Sequence, residues 1–498
     1  MKKMASFFVI LIMFSFVWGC SRPSEIPGKE NEKGAIPTHD FSVEPYLQDN
    51  AIFPQNSEFT ISGLSENGVL LKVDIYDQND ALIKTASDIA ANDGEFSVKI
   101  TAPKGSFNKY RIVINDSVHE HSYENILFGE VWIFAGEQLN ESFDYQDKEF
   151  NQNVRIFNYD NNEYSWSCYE SDSSIYPISY EFGNKLQKSL NVPIAIIDST
   201  IPVGNADAWI SHFTASNQLK IYNYLKSVNR YIPNLDNIVL KTNNLSSMYN
   251  TYLSLLKGIN VKGMIWQQGV TDFSKNNNDD IHKLLSNYSY LTSNIFLDYI
   301  NYFNGQFDIY SIQNGFVNID FANELRSAQE QASYLVNNVH IIPTYDCHIV
   351  EENETEDKIE SDLEVSNVNY VFSVEKFISR ITNDVMEHTY KEEKNIKYSM
   401  LTNVVINNNV IILTFSNEIE LTNVDEIYGL RVYTSDNYDI KHQSHIEENT
   451  VIIYLNDLFF DENMDVIVSY AENDDLYKCN LYNIYKKPVL PFRVEIRD

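Results

Sequence analysis

The period of the apolar pattern changes twice along this chain, and each change restricts the fold. From about Phe41 to Asn125 apolar and polar residues alternate: Leu71, Val73 and Ile75 are separated by Lys72 and Asp74, and Phe96, Val98 and Ile100 by Ser97 and Lys99. Alternation of period two buries one face of a strand, so this stretch predicts an antiparallel β domain with Asp93-Gly94 as a hairpin-type turn. After Ile126 continuous apolar runs alternate with helical periodicity, the pattern of a parallel sheet covered on both faces. The runs place strands at Val131–Ala135, Pro193–Ile197, Val261–Trp266, Phe307–Ile312 and Val339–Pro343. Helices are expected over Tyr180–Leu190, Met248–Lys257, Phe321–Leu335 and Ser373–His388, with Asn276–Asp280 and Glu351–Asp362 as exposed loops. From about Lys397 the alternation returns. Val404–Ile406 and Val410–Phe415 flank Asn407-Asn-Asn409 as a hairpin, and Val451–Leu455 and Val466–Tyr470 follow.

The expected order is therefore a β domain at 41–126, an α/β domain at 127–395 and a β domain at 396–498. A chain of 498 residues is long enough for several domains. Its formal charge of -33 excludes nucleic acid as a partner, because the phosphates would be repelled.

The first residues speak to compartment. Lys2 and Lys3 precede the apolar run Phe7–Trp18, which is too short to span a bilayer. The run ends in Val17-Trp-Gly-Cys20, which resembles a bacterial lipoprotein signal with cleavage before Cys20 and lipidation of its thiol. Residues 21–40, rich in charge, Pro and Gly, then form a flexible tether. The expectation is a protein of the cell envelope that meets the membrane through its lipid only. Cys168, Cys347 and Cys479 remain; three thiols imply no disulfide framework, and no two share metal-ligand spacing. No metal and no cofactor is expected.

Four short blocks, in order, resemble those of the sialate O-acetylesterase family, carbohydrate esterases built on an SGNH-hydrolase α/β domain flanked by β domains. Gly129-Glu-Val-Trp132 is similar to the family's G-D-V-W, which leads into S-G-Q-S-N-M. Val192-Pro-Ile-Ala-Ile-Ile197 with Ala208-Trp209 is similar to P-V-G-L-I…G-G-T…A-W. Val261-Lys-Gly-Met-Ile-Trp-Gln-Gln-Gly269 is similar to the strand that enters W-Y-Q-G-E-S-N. Tyr470-Ala471, Asn480-Leu-Tyr-Asn483 and Pro491-Phe-Arg493 are similar to Y-A…N-L-Y-N…P-F-R. The resemblance implies an SGNH-like parallel sheet, with antiparallel β domains at both ends, and a family activity of ester hydrolysis on acetylated sugars, sialic acid-containing ones among them.

The resemblance also says where the chemistry should sit. Ester hydrolysis of this type needs a serine nucleophile, a histidine base and donors aimed at the oxyanion. An ungapped match puts Gln138 in the serine's place; one inserted residue puts Leu139 there. Counting back from Trp209 puts Pro202 and Val203 at the paired glycines, with Gly204 one or two positions late, and proline has no N–H to donate. Val270 and Asp272 stand where the glutamate and the asparagine of G-E-S-N are expected. Tyr370 takes the histidine's position, with Asp362-Leu-Glu364 as the other local pairing. A displaced Asp346/His348 pair and the hydroxyls of Ser142, Ser199, Thr200 and Thr271 are the remaining candidates, each more simply read as loop or capping groups.

No catalytic residue is thus assigned, and the expectation is a dismantled esterase. What persists near the expected sheet edge is aromatic and amide chemistry suited to sugars: Gln138, Asn140, Gln267, Gln268, Asp272 and Trp266, with Trp132 and Trp209 behind them. A glycan-binding lipoprotein is the leading expectation. An active carbohydrate O-acetylesterase with relocated groups is the alternative, and a partner-binding scaffold is the third.

Overall fold

The computed structural model describes residues 40–138, 150–168, 178–234, 239–274, 278–303, 305, 307–315, 319, 321–351, 369–391, 397–422, 426–456, 465–472 and 476–496. The signal segment with Cys20, most of the tether, Leu139, Asn140, Ser142 and Asp362-Leu-Glu364 lie outside the described residues.

One strand organises the molecule. Glu120–Glu137 runs for 18 residues and is buried without interruption from Ile126 to Glu137. Its first half pairs antiparallel with Ser106–Asn115 in the amino-terminal sheet. Its second half lies between Ile194–Ile201 and Gly263–Gln267, parallel to both. The boundary expected at residues 126 and 127 thus falls inside a single strand. Ile52–Pro54 pairs parallel with Leu127–Gly129 at that point and keeps the backbone bonded across it.

The α/β sheet has the order Glu163–Ser167, Val154–Asp160, Ile194–Ile201, Glu120–Glu137, Gly263–Gln267, Asp308–Gln313, Val339–Pro343. All neighbours are parallel except the Glu163–Ser167 edge strand, which returns antiparallel along Val154–Asp160. All five strands expected in this region form; four end within four residues of their expected bounds, whereas the one expected at Val131–Ala135 begins 11 residues earlier, at Glu120. Val154–Asp160 and Glu163–Ser167 were not expected. The four expected helices are Ile178–Leu190, Ser247–Tyr252 continued by a tight turn Leu253–Leu256, Ala322–Tyr334 and Val374–His388. The last is capped by the Ser373 side chain, which accepts from the Lys376 N–H. Tyr288–Tyr302 is a further, deeply buried helix. The expected loop at Asn276–Asp280 becomes helical from Asn278, in the element Asn278–Leu285.

In the amino-terminal domain Leu71, Val73, Ile75, Phe96, Val98 and Ile100 are all buried, as alternation requires. The Asp93-Gly94 turn is a correction. The strands on either side of it, Leu82–Ile89 and Glu95–Thr101, pair with Leu70–Tyr76 and Glu58–Leu64 respectively, so the turn joins two sheets and closes no hairpin. The carboxyl-terminal domain carries the expected hairpin, Leu401–Asn407 with Val410–Phe415, and Thr450–Leu455 and Val466–Tyr470 as further strands. It docks on the α/β domain through specific bonds. Tyr345 donates to the Val489 carbonyl at 2.8 Å, Tyr482 to Asp346 at 2.7 Å, and Lys487 to Asp384 and Glu387 at 2.7 Å each. Among the described residues no helix is long and apolar enough to cross a membrane.

Candidate functional site

The strand order reverses direction around Glu120–Glu137: later strands add on one side of it and Ile194–Ile201 on the other. The carboxyl end of that strand is the position where open α/β sheets build their sites. Gly136 sits there with φ of +103°, and a Cβ on it would lie 1.8 Å from the Gln267 carbonyl oxygen. Only glycine lets the two strands approach so closely. Gln138 follows, exposed, with its N–H donating to the Ile201 carbonyl at 2.8 Å. The residue placed in the serine's position by the ungapped match therefore stands at the sheet edge and carries a carboxamide.

Glu137 is buried beneath it and caps the turn Val270–Phe273. Its carboxylate accepts the N–H groups of Gly269 at 3.0 Å, Val270 at 2.7 Å and Thr271 at 2.6 Å. Burial, reinforced by the neighbouring Asp272 carboxylate, pushes its pKa up to about 7 against those three donors. Asp272 is buried as well. It accepts from the Asn205 side-chain amide at 2.8 Å, from the Ala206 N–H at 3.1 Å and from the Gln268 amide at 2.9 Å. The donors converging between the second and third blocks are thus directed at a resident carboxylate.

The surrounding groups extend this lattice. Gln268 also donates to the Gly204 carbonyl at 2.6 Å, while its own backbone carbonyl accepts from Gln329 at 2.9 Å. Asn205 exchanges bonds with Asn243, accepting at 2.9 Å and donating its N–H at 2.6 Å. Arg230 grips Asp207 with Nε at 2.8 Å and its terminal nitrogen at 2.7 Å. A cavity of about 220 Å³ lies beside this network, polar where Asn205, Asp272 and Arg230 meet it and apolar along Leu225, Ile281 and Leu291.

The residues expected at the site divide by position. Gln138 and Asp272 reach the sheet edge, as does Gln267, which is largely buried. Gln268 is a clamp between the Gly204 and Asp272 segments. Trp266 is a correction: it is 2% exposed, packed edge-on against Trp209 at 5.6 Å and Phe296 at 5.9 Å, and presents no face to a ligand. Trp132 is buried on the sheet's other side, bonded to Tyr390 at 3.3 Å. Pro202 and Val203 are exposed, and Gly204 is enclosed, since a Cβ there would meet Trp209 at 2.7 Å. Tyr370 lies on the strand Asn369–Phe372, opposite Val350, in a two-stranded ladder that also pairs His348 with Phe372.

The relocated candidates are accounted for in the same way. Ser199 donates to the Phe134 carbonyl at 2.8 Å and Thr200 to Asp198 at 2.6 Å. The Thr271 side chain bonds the Glu137 carboxylate that its own N–H also reaches. Asp346 is engaged by Arg380 at 2.6 and 2.7 Å, by Lys376 at 2.9 Å and by Tyr482, and these cations hold its carboxyl well below the usual range. It is the centre of an ion-pair network that anchors the last helix, which leaves it unsuited to orient His348. Sequence reasoning missed Glu137, Asn205, Asn243 and the Asp207–Arg230 pair. Glu137 adjoins Gln138 and Asn205 adjoins Gly204, but their partners lie 38 to 134 residues away.

The chain superposes on a carbohydrate acetylesterase from Xanthomonas citri with a TM-score of 0.69 at 17% identity, over 91% of this chain and 99% of that one. That likeness establishes a shared carbohydrate-esterase fold, consistent with an SGNH-like α/β core. A family two carbohydrate esterase from Cellvibrio japonicus matches with a TM-score of 0.27 at 10% identity, over 70% of this chain and 94% of that one, too distant to add weight. No protein-family model matches the chain, and no curated protein does.

Proposed function

We propose that this chain, with its carbohydrate-esterase fold, is a non-catalytic glycan-binding protein of the sialate O-acetylesterase type, anchored to the cell envelope through a lipid on Cys20. The observation that carries the reading is the state of Asp272. A tetrahedral oxyanion needs N–H groups pointing at an unoccupied position, and one such donor is worth roughly 3 kcal/mol in the transition state. Here the Asn205 amide and the Ala206 N–H already bind a carboxylate, whose negative charge would repel a second anion. Gln138, at the place of the nucleophile, has no hydroxyl to activate. Binding needs less than catalysis does. The exposed Gln138 amide at the sheet edge and the cavity beside Asp272, with Asn205 and Arg230 on its polar side and an apolar wall opposite, offer directional hydrogen bonds and apolar contact, which suits acetylated or N-acetylated sugars, sialic acid-containing ones included.

The test pairs a fluorophosphonate probe and an activated acetyl ester with a glycan array. The expected result is unlabelled protein without turnover that retains glycans on the array and loses them in Gln138→Ala. Acetate release that a cleft substitution abolishes would establish the alternative reading, an active O-acetylesterase. Anchoring is tested separately, by incorporation of an alkyne fatty acid that Cys20→Ser prevents.

A further inference from the structure

Two buried guanidiniums in this protein are held in contrasting ways. Arg155, 2% exposed, donates to the carbonyls of Asn50 at 2.7 Å, Asn125 at 2.6 Å and Gln152 at 3.3 Å, and to the Asn125 side-chain oxygen at 3.3 Å. It is a brace with acceptors on every side. Arg326, 4% exposed on the helix Ala322–Tyr334, donates to the Gly315 carbonyl at 3.0 Å and to the Asn323 side-chain oxygen. Two of its five N–H groups are so used. No carboxylate lies within ion-pair distance of it among the described residues. Burial lowers its pKa to about 10, so it remains a cation at neutral pH. Glu472 and Glu324 act on it from a distance, but a buried cation that no carboxylate contacts directly is costly and calls for a partner.

Arg326 forms part of the wall of a groove of about 840 Å³ between that helix and the carboxyl-terminal sheet of Leu430–Thr434, Val466–Tyr470 and Phe492–Ile496. This is within the range of small-ligand sites. Asn323, Gln331, Asn437 and Ser435 line it with donors and acceptors, and Phe492 adds apolar surface. Its carboxylates are largely committed: Glu472 to the Tyr433 hydroxyl at 2.8 Å and to Arg493 at 3.3 Å, and Glu330 to the Tyr334 hydroxyl at 2.6 Å.

We propose that this groove binds an acidic oligosaccharide through a single carboxylate placed on Arg326. A carboxylate matches the forked guanidinium, and the ring of amides and hydroxyls matches sugar hydroxyls. Glu324, Glu330 and Glu472 on the same walls repel a polyanion, which restricts the ligand to one negative group at this point. The site is distinct from the sheet edge at Gln138 and Asp272 and does not rest on the function proposed for it.

Calorimetric titration of the full chain with digalacturonate and with the neutral disaccharide galactobiose tests this. The acidic sugar is expected to bind at least tenfold more tightly, and Arg326→Gln to erase the difference. Ser435→Tyr, which fills the groove from an exposed position, should weaken digalacturonate at least tenfold without moving the thermal midpoint. Equal binding of the two sugars, no binding of digalacturonate, or unaltered binding by Ser435→Tyr would overturn the proposal. So would tighter binding of an acetylated tripeptide with a free terminal carboxylate, which would make the groove a peptide site.

Discussion

The Asn205 side-chain amide donates to the Asp272 carboxylate at 2.8 Å across 67 residues of sequence. This bond ties the turn after Ile194–Ile201 to the turn after Gly263–Gln267, and it occupies the space between them with a charge. Replacing Asp272 by Ala leaves Asn205, Gln268 and the Ala206 N–H without their shared acceptor. The expected cost is about 3 kcal/mol, read as a shift in the denaturant midpoint. A loss below about 0.5 kcal/mol would mean the three donors find water instead.

Removing the charge should not restore chemistry. Gln138→Ser with Asp272→Asn supplies a hydroxyl and an amide at the two altered positions, but no imidazole is bonded to either segment among the described residues. Fluorophosphonate labelling of the double variant is expected to stay at background. Labelling that depends on the introduced hydroxyl would show that a base lies within reach of the sheet edge.

Glu137 gives a pH dependence whose sign follows from its raised pKa. Its folded pKa of about 7 exceeds the ordinary 4.5, so its contribution to stability is full below 4.5 and is lost as the pH rises through 7. Glu137→Gln lacks this term, so the variant is expected to be more destabilised relative to the parent at pH 5 than at pH 8. Thermal midpoints across that range measure it, and a carboxyl carbon titrating near 4 would contradict it.

His388 works in the opposite sense. Its ring stacks on His340 at 4.2 Å, and burial, aided by His340 and Lys487, lowers its pKa from 6.5 to about 4. The folded state holds it neutral, so stability is full above 6.5 and falls as the pH drops toward 4. His388→Phe keeps the stack and removes the titration, and the variant is expected to lose less stability between pH 7.5 and 4.5 than the parent.

Asp346 is a structural charge. Asp346→Asn leaves Arg380 buried without its counter-ion, and breaking a buried pair in this way costs roughly 3–5 kcal/mol. Chemical denaturation reads the loss directly.

The fold was legible where burial makes the pattern strong. Val131–Ala135 and Val339–Pro343 are apolar at nearly every position because helices cover both faces of their sheet. Leu82–Ile89 left no such trace: every residue but one is exposed, so nothing forces an apolar alternation. Tyr288–Tyr302 was missed for the converse reason, since it is buried over most of its circumference and rich in tyrosine, serine, asparagine and isoleucine, which are weaker helix formers. At the site, the identities of Gln138 and Asp272 could be read in place. That Asp272 would take up the Asn205 amide could not, because the pairing depends on two turns that only the sheet brings together. Trp266 looked like a ligand platform from its neighbours in sequence, and the alternation of the strand turned it inward.

The uninterrupted strand Glu120–Glu137 has a practical consequence for anyone dividing this protein. Cutting at residue 126 would strip Leu127, Phe128 and the residues after them of their pairing with Ile52–Pro54 and expose a raw, greasy sheet margin. The excised α/β piece is then expected to precipitate. The amino-terminal region is less an appendage than the other end of the same beam.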